Sequence, residues 1–172
     1  MKKTIFALMM LASFVAAQAQ GLTGKLWAAQ IDEKSGDELI ALSFNADNTM
    51  NMHLEGVETE KSDEMDLILT IDVDVPGTYT LKGDKLTINL DQDKATVDFD
   101  LDIDGADDAT KSFVLGMLKS EIDKEKGKLA KEMFKDIPFN NVPFTVKKVT
   151  ATTLVIADVD DEYEFVAIPQ DQ

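Results

Sequence analysis

Two residue types, cysteine and arginine, are missing from this chain of 172 residues, and tryptophan and histidine occur once each. Without cysteine the chain forms no disulfide, carries no lipid on a thiol and builds no thiolate metal site. Without arginine it lacks the guanidinium fork that binds phosphates and carboxylates through two parallel hydrogen bonds. The lysines number 17 against 33 acidic residues, a formal net charge of -16, so phosphate backbones and anionic lipid surfaces are repelled. Nucleic acid is therefore excluded as a partner.

The N-terminus has the pattern of a secretory signal peptide. Two lysines precede an apolar run over residues 5–16, and small side chains follow at Ala17 and Ala19, where signal peptidase reads them. The run is shorter than the roughly 20 apolar residues that span a bilayer, so no membrane span is expected. We predict a signal peptide over residues 1–19, cleaved after Ala19, and an exported protein, periplasmic or secreted. Residues 20–172 suit one domain, and their acidity favours a monomer.

The clearest pattern in the mature chain is a strict alternation over residues 95–105. Four apolar residues alternate with four aspartates, namely Val97, Phe99, Leu101 and Ile103 with Asp98, Asp100, Asp102 and Asp104. Since successive side chains of a strand point to opposite faces, one face is apolar and the other is a row of carboxylates. The stretch is therefore predicted to be a strand that covers a core, as one stave of a barrel.

Similar alternation recurs along most of the chain and predicts about eight or nine strands joined by short turns. Polar residues over 56–64 indicate a loop, and Pro76 with Gly77 indicates the end of a strand. Gly83 with Asp84 predicts a tight hairpin between the strands on either side.

One interval, residues 107–136, has helical periodicity, because its apolar residues recur every three or four positions. Asp107 or Asp108 is the expected N-cap, since a carboxylate there accepts unpaired backbone N–H groups. The polar run over 123–128 includes a glycine and predicts a break in the helix. Pro138 predicts its end.

The predicted fold is mainly β. Short connections imply antiparallel neighbours, and a long series of half-exposed strands loses its edges most simply by closing on itself. We therefore predict an antiparallel up-and-down β-barrel of about eight or nine strands with one helical insertion. A two-sheet sandwich is the alternative; it needs long crossovers between sheets, which only the helical interval offers.

Three segments resemble the lipocalin-like, calycin-type barrel proteins exported by Bacteroidetes: Gly24-Lys25-Leu26-Trp27, the hairpin over 77–88, and the ending over 144–165. In that family a glycine and a tryptophan separated by one residue open the first strand, whereas two residues separate them here. The family's tryptophan also packs beneath a basic residue, usually arginine, that closes one end of the barrel. Under the resemblance, Lys147 or Lys148 takes that role. The resemblance implies a small barrel whose interior holds an apolar molecule.

These patterns favour noncovalent binding of a small hydrophobic molecule in the barrel interior. Methionine is unbranched and adaptable, so it suits the wall of a pocket for flexible ligands, although it is also ordinary core filling. The helix either caps the barrel mouth as a lid or packs on the outside. The predicted ligand-binding residues are Trp27, Phe44, Met50, Met52, Tyr79 and Phe99 in the interior and Phe113, Met117 and Phe134 on the lid. The alternative is a filled, ligand-free barrel that acts through its surface as an interaction or inhibitor module.

Calcium binding is a further alternative, at the end of the aspartate row. The segment Asp100-x-Asp102-x-Asp104-Gly105 matches the first half of a calcium loop, but Lys111 stands where the bidentate glutamate belongs. Extended strand geometry also spreads same-face carboxylates about 7 Å apart. If a site exists, its predicted ligands are Asp104, Asp107 and Asp108, and no other cofactor is expected.

His53 is the single histidine, and its apolar neighbours Met52 and Leu54 claim the inward face, so it is predicted to point outward. One histidine without cysteine does not make a nitrogen and sulfur zinc site, and no serine lies close in sequence to be activated. No pair of carboxylates stands out among so many solvated acids. The protein is therefore not expected to be an enzyme.

Overall fold

The computed structural model describes residues 21–33, 36–61, 66–133 and 139–168. The predicted signal peptide lies outside these residues. The elements are β1 Leu26–Glu33, β2 Gly36–Phe44, β3 Thr49–Lys61, β4 Asp66–Lys82, β5 Lys85–Leu90, a short 3₁₀ turn Gln92–Lys94, β6 Thr96–Asp104, α1 Asp108–Met133, β7 Pro143–Val149, β8 Thr153–Ala157 and β9 Glu162–Ile168. Within the residues that the structure describes, no helix has the combination of length and hydropathy that a membrane span requires.

Eight of the nine described strands close into an antiparallel barrel. The hydrogen-bonded order is β3, β2, β1, β9, β8, β7, β5, β4, and pairing of β4 with β3 completes the ring. Apart from β6, each strand lies beside its neighbours along the chain, as short antiparallel connections require. The predicted up-and-down barrel is confirmed, and a two-sheet sandwich is not the architecture.

The ninth strand, β6, lies outside the ring. Among the described strands it pairs with β4 alone, along residues 66–74 of that strand. β4 is 17 residues long and serves two sheets, because its residues 77–82 pair with β5 inside the ring. We call the three-stranded sheet formed by β3 residues 54–61, β4 residues 66–74 and β6 the wing. The prediction that the aspartate-bearing strand is a stave of the barrel was therefore wrong.

β4 runs through Pro76 and Gly77, where the sequence predicted that a strand ends. At this point the neighbour of β4 on one edge changes, since β6 pairs as far as Asp74 and β5 pairs from Gly77. Proline donates no ladder hydrogen bond and so fits the gap between two partners. Gly77 permits a close approach, because a Cβ there would lie 2.5 Å from the carbonyl oxygen of Asn89.

The loop predicted over residues 56–64 is in large part strand. β3 continues to Lys61, and its residues 56–61 pair in register with residues 66–71 of β4. Cross-strand pairing and burial decide strand formation more than local composition does. The polar composition of this segment therefore misled the prediction.

The helix begins where the sequence predicted and does not break where it predicted. Oδ1 of Asp107 accepts the backbone N–H groups of Ala109 and Thr110 at 3.0 and 2.9 Å, so Asp107 is the N-cap. α1 then continues without interruption through residues 123–128. Lysine and glutamate are good helix formers, and one interior glycine costs only about 1 kcal/mol. The predicted stop at Pro138 lies outside the described residues.

The barrel interior holds the hydrophobic core, and aromatic rings occupy much of it. The largest fully buried side chains include Trp27, Phe44, Phe139, Phe144 and Phe165. The ring of Phe139 lies 5.4 Å from that of Phe144 and 6.3 Å from that of Phe165, measured between centroids. Such packing buries apolar area and adds edge-to-face attraction between rings.

Candidate functional site

The wing carries an apolar face that continues the interior face of the barrel. Residues directly opposite each other in an antiparallel pair lie on the same face of the sheet. In this register Val97, Phe99, Leu101 and Ile103 of β6 lie opposite Val73, Ile71, Leu69 and Leu67 of β4. Val73 also lies opposite Leu54 of β3, whose partner on β2 is the buried Ile40. One apolar strip therefore runs from the core to the tip of the wing.

The middle of this apolar strip is only half-buried. Val73 and Val97 near the barrel and Ile103 near the tip are buried. Between them, Leu67, Leu69, Ile71, Phe99 and Leu101 keep part of their surface in solvent. Helix α1 packs on β6, and its Val114, Leu115 and Leu118 are partly buried. The middle of the strip is therefore partly accessible to solvent.

Charge at the border of the strip is acidic. On β3, Glu58 lies opposite Leu69 and Glu60 lies opposite Leu67, so both glutamates share the face of the strip. Both side chains are exposed. Carboxylates at this border repel an anionic head group and tolerate a neutral or cationic one.

The structure separates the residues predicted to bind a ligand into three places. Trp27, Phe44, Met50, Met52 and Tyr79 lie inside the barrel with at most 3% of their surface exposed. Phe99 lies on the wing, half-buried, within the apolar strip.

The predicted lid residues do not face the barrel. Phe113 is 67% exposed and Met117 is 56% exposed, one helical turn apart on the solvent side of α1. Phe134 lies outside the described residues. The helix contacts β6 of the wing, and Phe113 and Met117 form an apolar pair in solvent.

Trp27 closes one end of the barrel together with the segment that precedes β1. Its Nε1 donates a buried hydrogen bond of 2.9 Å to the carbonyl oxygen of Leu22, which is itself fully buried. Lys25 Nζ lies 4.9 Å from the centroid of the indole ring and donates to the carbonyl oxygen of Thr150 at 3.0 Å. The basic residue over the tryptophan is therefore Lys25, while Lys147 and Lys148 are exposed.

Tyr79 is held by the barrel itself. Its hydroxyl donates to the carbonyl oxygen of Asn45 at 2.8 Å, and its ring lies edge-on to Phe44 with centroids 5.0 Å apart. Burial raises the pKa of this hydroxyl, and the negative charge of Asp47 raises it further. These contacts link β4 to the turn between β2 and β3, so the role of Tyr79 is structural.

The opposite end of the barrel is closed by a segment that the sequence left unassigned. Phe139 is fully buried, and its ring lies 5.0 Å from that of Tyr163. Asn140 Oδ1 accepts the backbone N–H of Leu90 at 3.1 Å, and Asn141 donates its own N–H to the carbonyl oxygen of Ile88 at 2.9 Å. The sequence did contain a signal for a turn here, because Phe139 is followed by two asparagines, which favour turns. Asn141 has φ 60°.

The structure does not bring the predicted calcium ligands together. Asp107 caps the helix, and hydrogen bonds from backbone and side chain of Thr110 lower its pKa. Asp104 Oδ1 accepts the N–H of the next residue, Gly105, at 2.9 Å. Among the described residues, Asp104, Asp107 and Asp108 do not form a group with ligand atoms within 4.8 Å of one another.

One group of residues does meet that distance. Single ligand atoms of His53, Glu55 and Asp72 all lie within 4.8 Å of one another. His53 is on the outer face of β3, as its sequence neighbours predicted, with 30% of its side-chain surface exposed. Sequence reasoning missed this group because it requires knowing which residues of β4 lie opposite β3.

The described residues form a closed eight-stranded antiparallel barrel that carries an appended wing and a helix. Comparison with known proteins finds no family model and no curated protein that matches this chain. The chemistry of the strip and of the His53 group is therefore what argues for function.

Proposed function

We propose that this protein binds a small hydrophobic molecule noncovalently, as an exported, lipocalin-like barrel, and that the ligand lies on the half-buried strip of the wing. One observation carries the proposal: five apolar side chains, Leu67, Leu69, Ile71, Phe99 and Leu101, line a face that continues the core and yet remain partly in solvent. Binding sites for small apolar molecules are concave and lined by such residues. The aromatic rings that occupy the barrel interior favour the wing over the barrel centre as the place of binding.

The border of the strip restricts the chemistry of the ligand. Glu58 and Glu60 lie on the same face, and the chain carries a formal charge of -16. A neutral molecule with an extended apolar part fits this surface better than a fatty acid anion does. Burying about 100 Å² of apolar surface contributes roughly 2.5 kcal/mol, whereas micromolar binding needs about 8 kcal/mol, so the ligand has to bury well over roughly 300 Å² of apolar surface.

The proposal is tested with N-phenyl-1-naphthylamine, a neutral fluorophore whose emission rises in apolar surroundings. We expect the purified protein to bind it with micromolar Kd. The double variant Leu69→Gln with Leu101→Gln places two amides on facing positions of the strip and should raise Kd about tenfold or more. Val166→Gln is the matched control, since it removes a 57% exposed apolar side chain from β9, far from the strip.

Thermal unfolding of each variant checks that the barrel has folded. Equal affinity of the double variant and the unmodified protein would place any binding elsewhere and contradict the proposal, as would undetectable binding. Native mass spectrometry of protein from its own host then looks for a co-purified molecule of lipid size.

A second candidate function is docking to another protein through the helix. Phe113 and Met117 form an exposed apolar pair at the spacing of one helical turn, which is how amphipathic helices present anchors to a groove. This second function corresponds to the alternative of a surface interaction module. It predicts that Phe113→Ser with Met117→Ser abolishes partner capture and leaves binding of the fluorophore unchanged.

A further inference from the structure

The outer face of β3 and β4 places one histidine among several carboxylates. His53 lies directly opposite Asp74, and Glu55 lies directly opposite Asp72. Because alternate residues of a strand share a face, all four side chains project from the same side of the sheet, away from the core. All four are half-buried, so the neighbouring side chains partly shield them from water.

Hydrogen bonds orient the imidazole of His53. Asp74 Oδ1 accepts a hydrogen bond from Asn51 Nδ2 at 2.9 Å, and His53 Nδ1 lies 3.2 Å from the same oxygen. A carboxylate oxygen only accepts, so Nδ1 carries the hydrogen in this contact. In the neutral imidazole the lone pair is then on Nε2. Asn51 and Asp74 thus set the tautomer and the ring orientation.

The lone pair on Nε2 faces a second acceptor. Asp72 Oδ1 lies 3.7 Å from His53 Nε2, and a ligand atom of Glu55 completes the group within 4.8 Å. Two acceptors that face each other repel unless a proton or a cation lies between them. Donor atoms bound to one zinc ion at about 2.1 Å are about 3–3.5 Å apart, so a small rotation of either side chain brings this pair onto a metal.

We propose that His53, Glu55 and Asp72 bind a divalent transition-metal ion of the zinc type, and that Asp74 positions the imidazole. Imidazole nitrogen with carboxylate oxygen is a donor set for such ions, whereas calcium takes oxygen ligands throughout. A carboxylate that accepts the second ring N–H of a ligand histidine is the usual outer partner in these sites. Three protein ligands leave one coordination position to water.

The site is independent of the apolar strip. The two lie on opposite faces of the same strands, because Asp72 and Ile71 are consecutive residues of β4 and point to opposite sides. Binding of a metal and binding of an apolar molecule are therefore separate properties, and each test can fail without the other.

The test uses the untagged protein, stripped of metal with a chelator, and titrates it with zinc chloride in a calorimeter. We expect one equivalent of Zn²⁺ with Kd in the micromolar range and binding of calcium chloride at least about 100-fold weaker. His53→Gln and Asp72→Asn should each lose binding. Asp74→Asn should weaken it about tenfold, because the imidazole then loses its outer carboxylate partner. Asp104→Asn, a carboxylate removed at the wing tip, is the matched control and should leave Kd unchanged.

A second measurement does not depend on variants. Since the chain has a single histidine, its imidazole nitrogens give one unambiguous pair of ¹⁵N resonances. Zinc binding should shift Nε2 strongly and leave Nδ1 as the protonated nitrogen. Zinc uptake that leaves both resonances unmoved, or that Asp104→Asn reduces as much as Asp72→Asn does, would overturn the proposal.

Discussion

Trp27 and the residues around it show how one side chain closes a barrel end. Its indole N–H satisfies the carbonyl oxygen of the buried Leu22, and Lys25 lies over the ring while bonding to Thr150. The sequence held a signal for Lys25, because a residue two positions before Trp27 shares its face once a strand is assumed. The resemblance instead implied Lys147 or Lys148 as the basic residue over the tryptophan. Contacts between chain ends and distant turns are not readable from local pattern.

Replacing Trp27 by Phe should lower the free energy of unfolding by about 2–4 kcal/mol, because a buried carbonyl loses its donor and a cavity remains. Lys25→Met should cost only about 0.5–1 kcal/mol, since the aliphatic stem is kept and the cation over the ring is lost. Urea unfolding followed by circular dichroism measures both. Lys147→Met is the control and should stay within about 0.5 kcal/mol of the unmodified protein. A larger loss for Lys147→Met than for Lys25→Met would contradict this assignment of roles.

At the scale of elements, alternation located the strands and failed at their limits. The strand predicted over residues 95–105 forms over Thr96–Asp104, and the hairpin around Gly83 forms as predicted. The extension of β3 to Lys61 and the passage of β4 through Pro76 depend on which strand lies alongside, and this information is spread over distant residues. Helix α1 was predicted from periodicity, but its continuity follows from the helix propensity of lysine and glutamate.

Gly77 offers a direct test of the junction at which β4 changes partner. Gly77→Ala should destabilise the protein by about 1–3 kcal/mol, because the new methyl group meets the backbone oxygen of Asn89 at 2.5 Å. Gly116→Ala is the opposite case, since nothing lies within 4 Å of a Cβ there and the residue is inside α1. It should stabilise by about 0.5–1 kcal/mol. Chemical denaturation compares the two, and a stabilising Gly77→Ala would refute the close contact.

At the scale of the whole molecule, closure of the barrel was predictable and the position of the candidate site was not. Short turns between half-exposed strands imply an up-and-down arrangement, and that is what forms. The wing exists because β4 extends beyond the residues that pair with β5, and β6 pairs with this extension. No local pattern reveals that β6 pairs with β4, since β5 lies between them in the sequence. The apolar strip follows from the register of β6 with β4, and the His53 group follows from the register of β3 with β4.

Acid should unfold the molecule through its capped turns. Hydrogen bonds lower the pKa of Asp47, Asp107 and Asp158 below the ordinary value of 3.8. The main donor to Asp47 is the hydroxyl of Thr49, and the main donors to Asp107 and Asp158 are backbone N–H groups. The contribution of these carboxylates to stability is thus complete above that ordinary value and is lost as pH falls through the lower, folded-state pKa. We therefore expect Tm to fall as the pH is lowered below 3.8. Asp107→Asn keeps an acceptor that does not titrate and should weaken the fall, while the control Asp108→Asn, one residue on, should not. If Asp107→Asn left the fall of Tm at low pH unchanged, the helix cap at Asp107 would not contribute to acid unfolding.

β6 has a hydrogen-bonded neighbour on one side only among the described strands. An open strand edge is a template on which another chain can add a strand and begin to aggregate. If a second antiparallel copy of β6 paired there, its register would set aspartates opposite aspartates or opposite apolar residues. The first arrangement is opposed by charge repulsion and the second by desolvation of carboxylates. The aspartate row therefore disfavours pairing of two copies of β6 at the open edge of the wing.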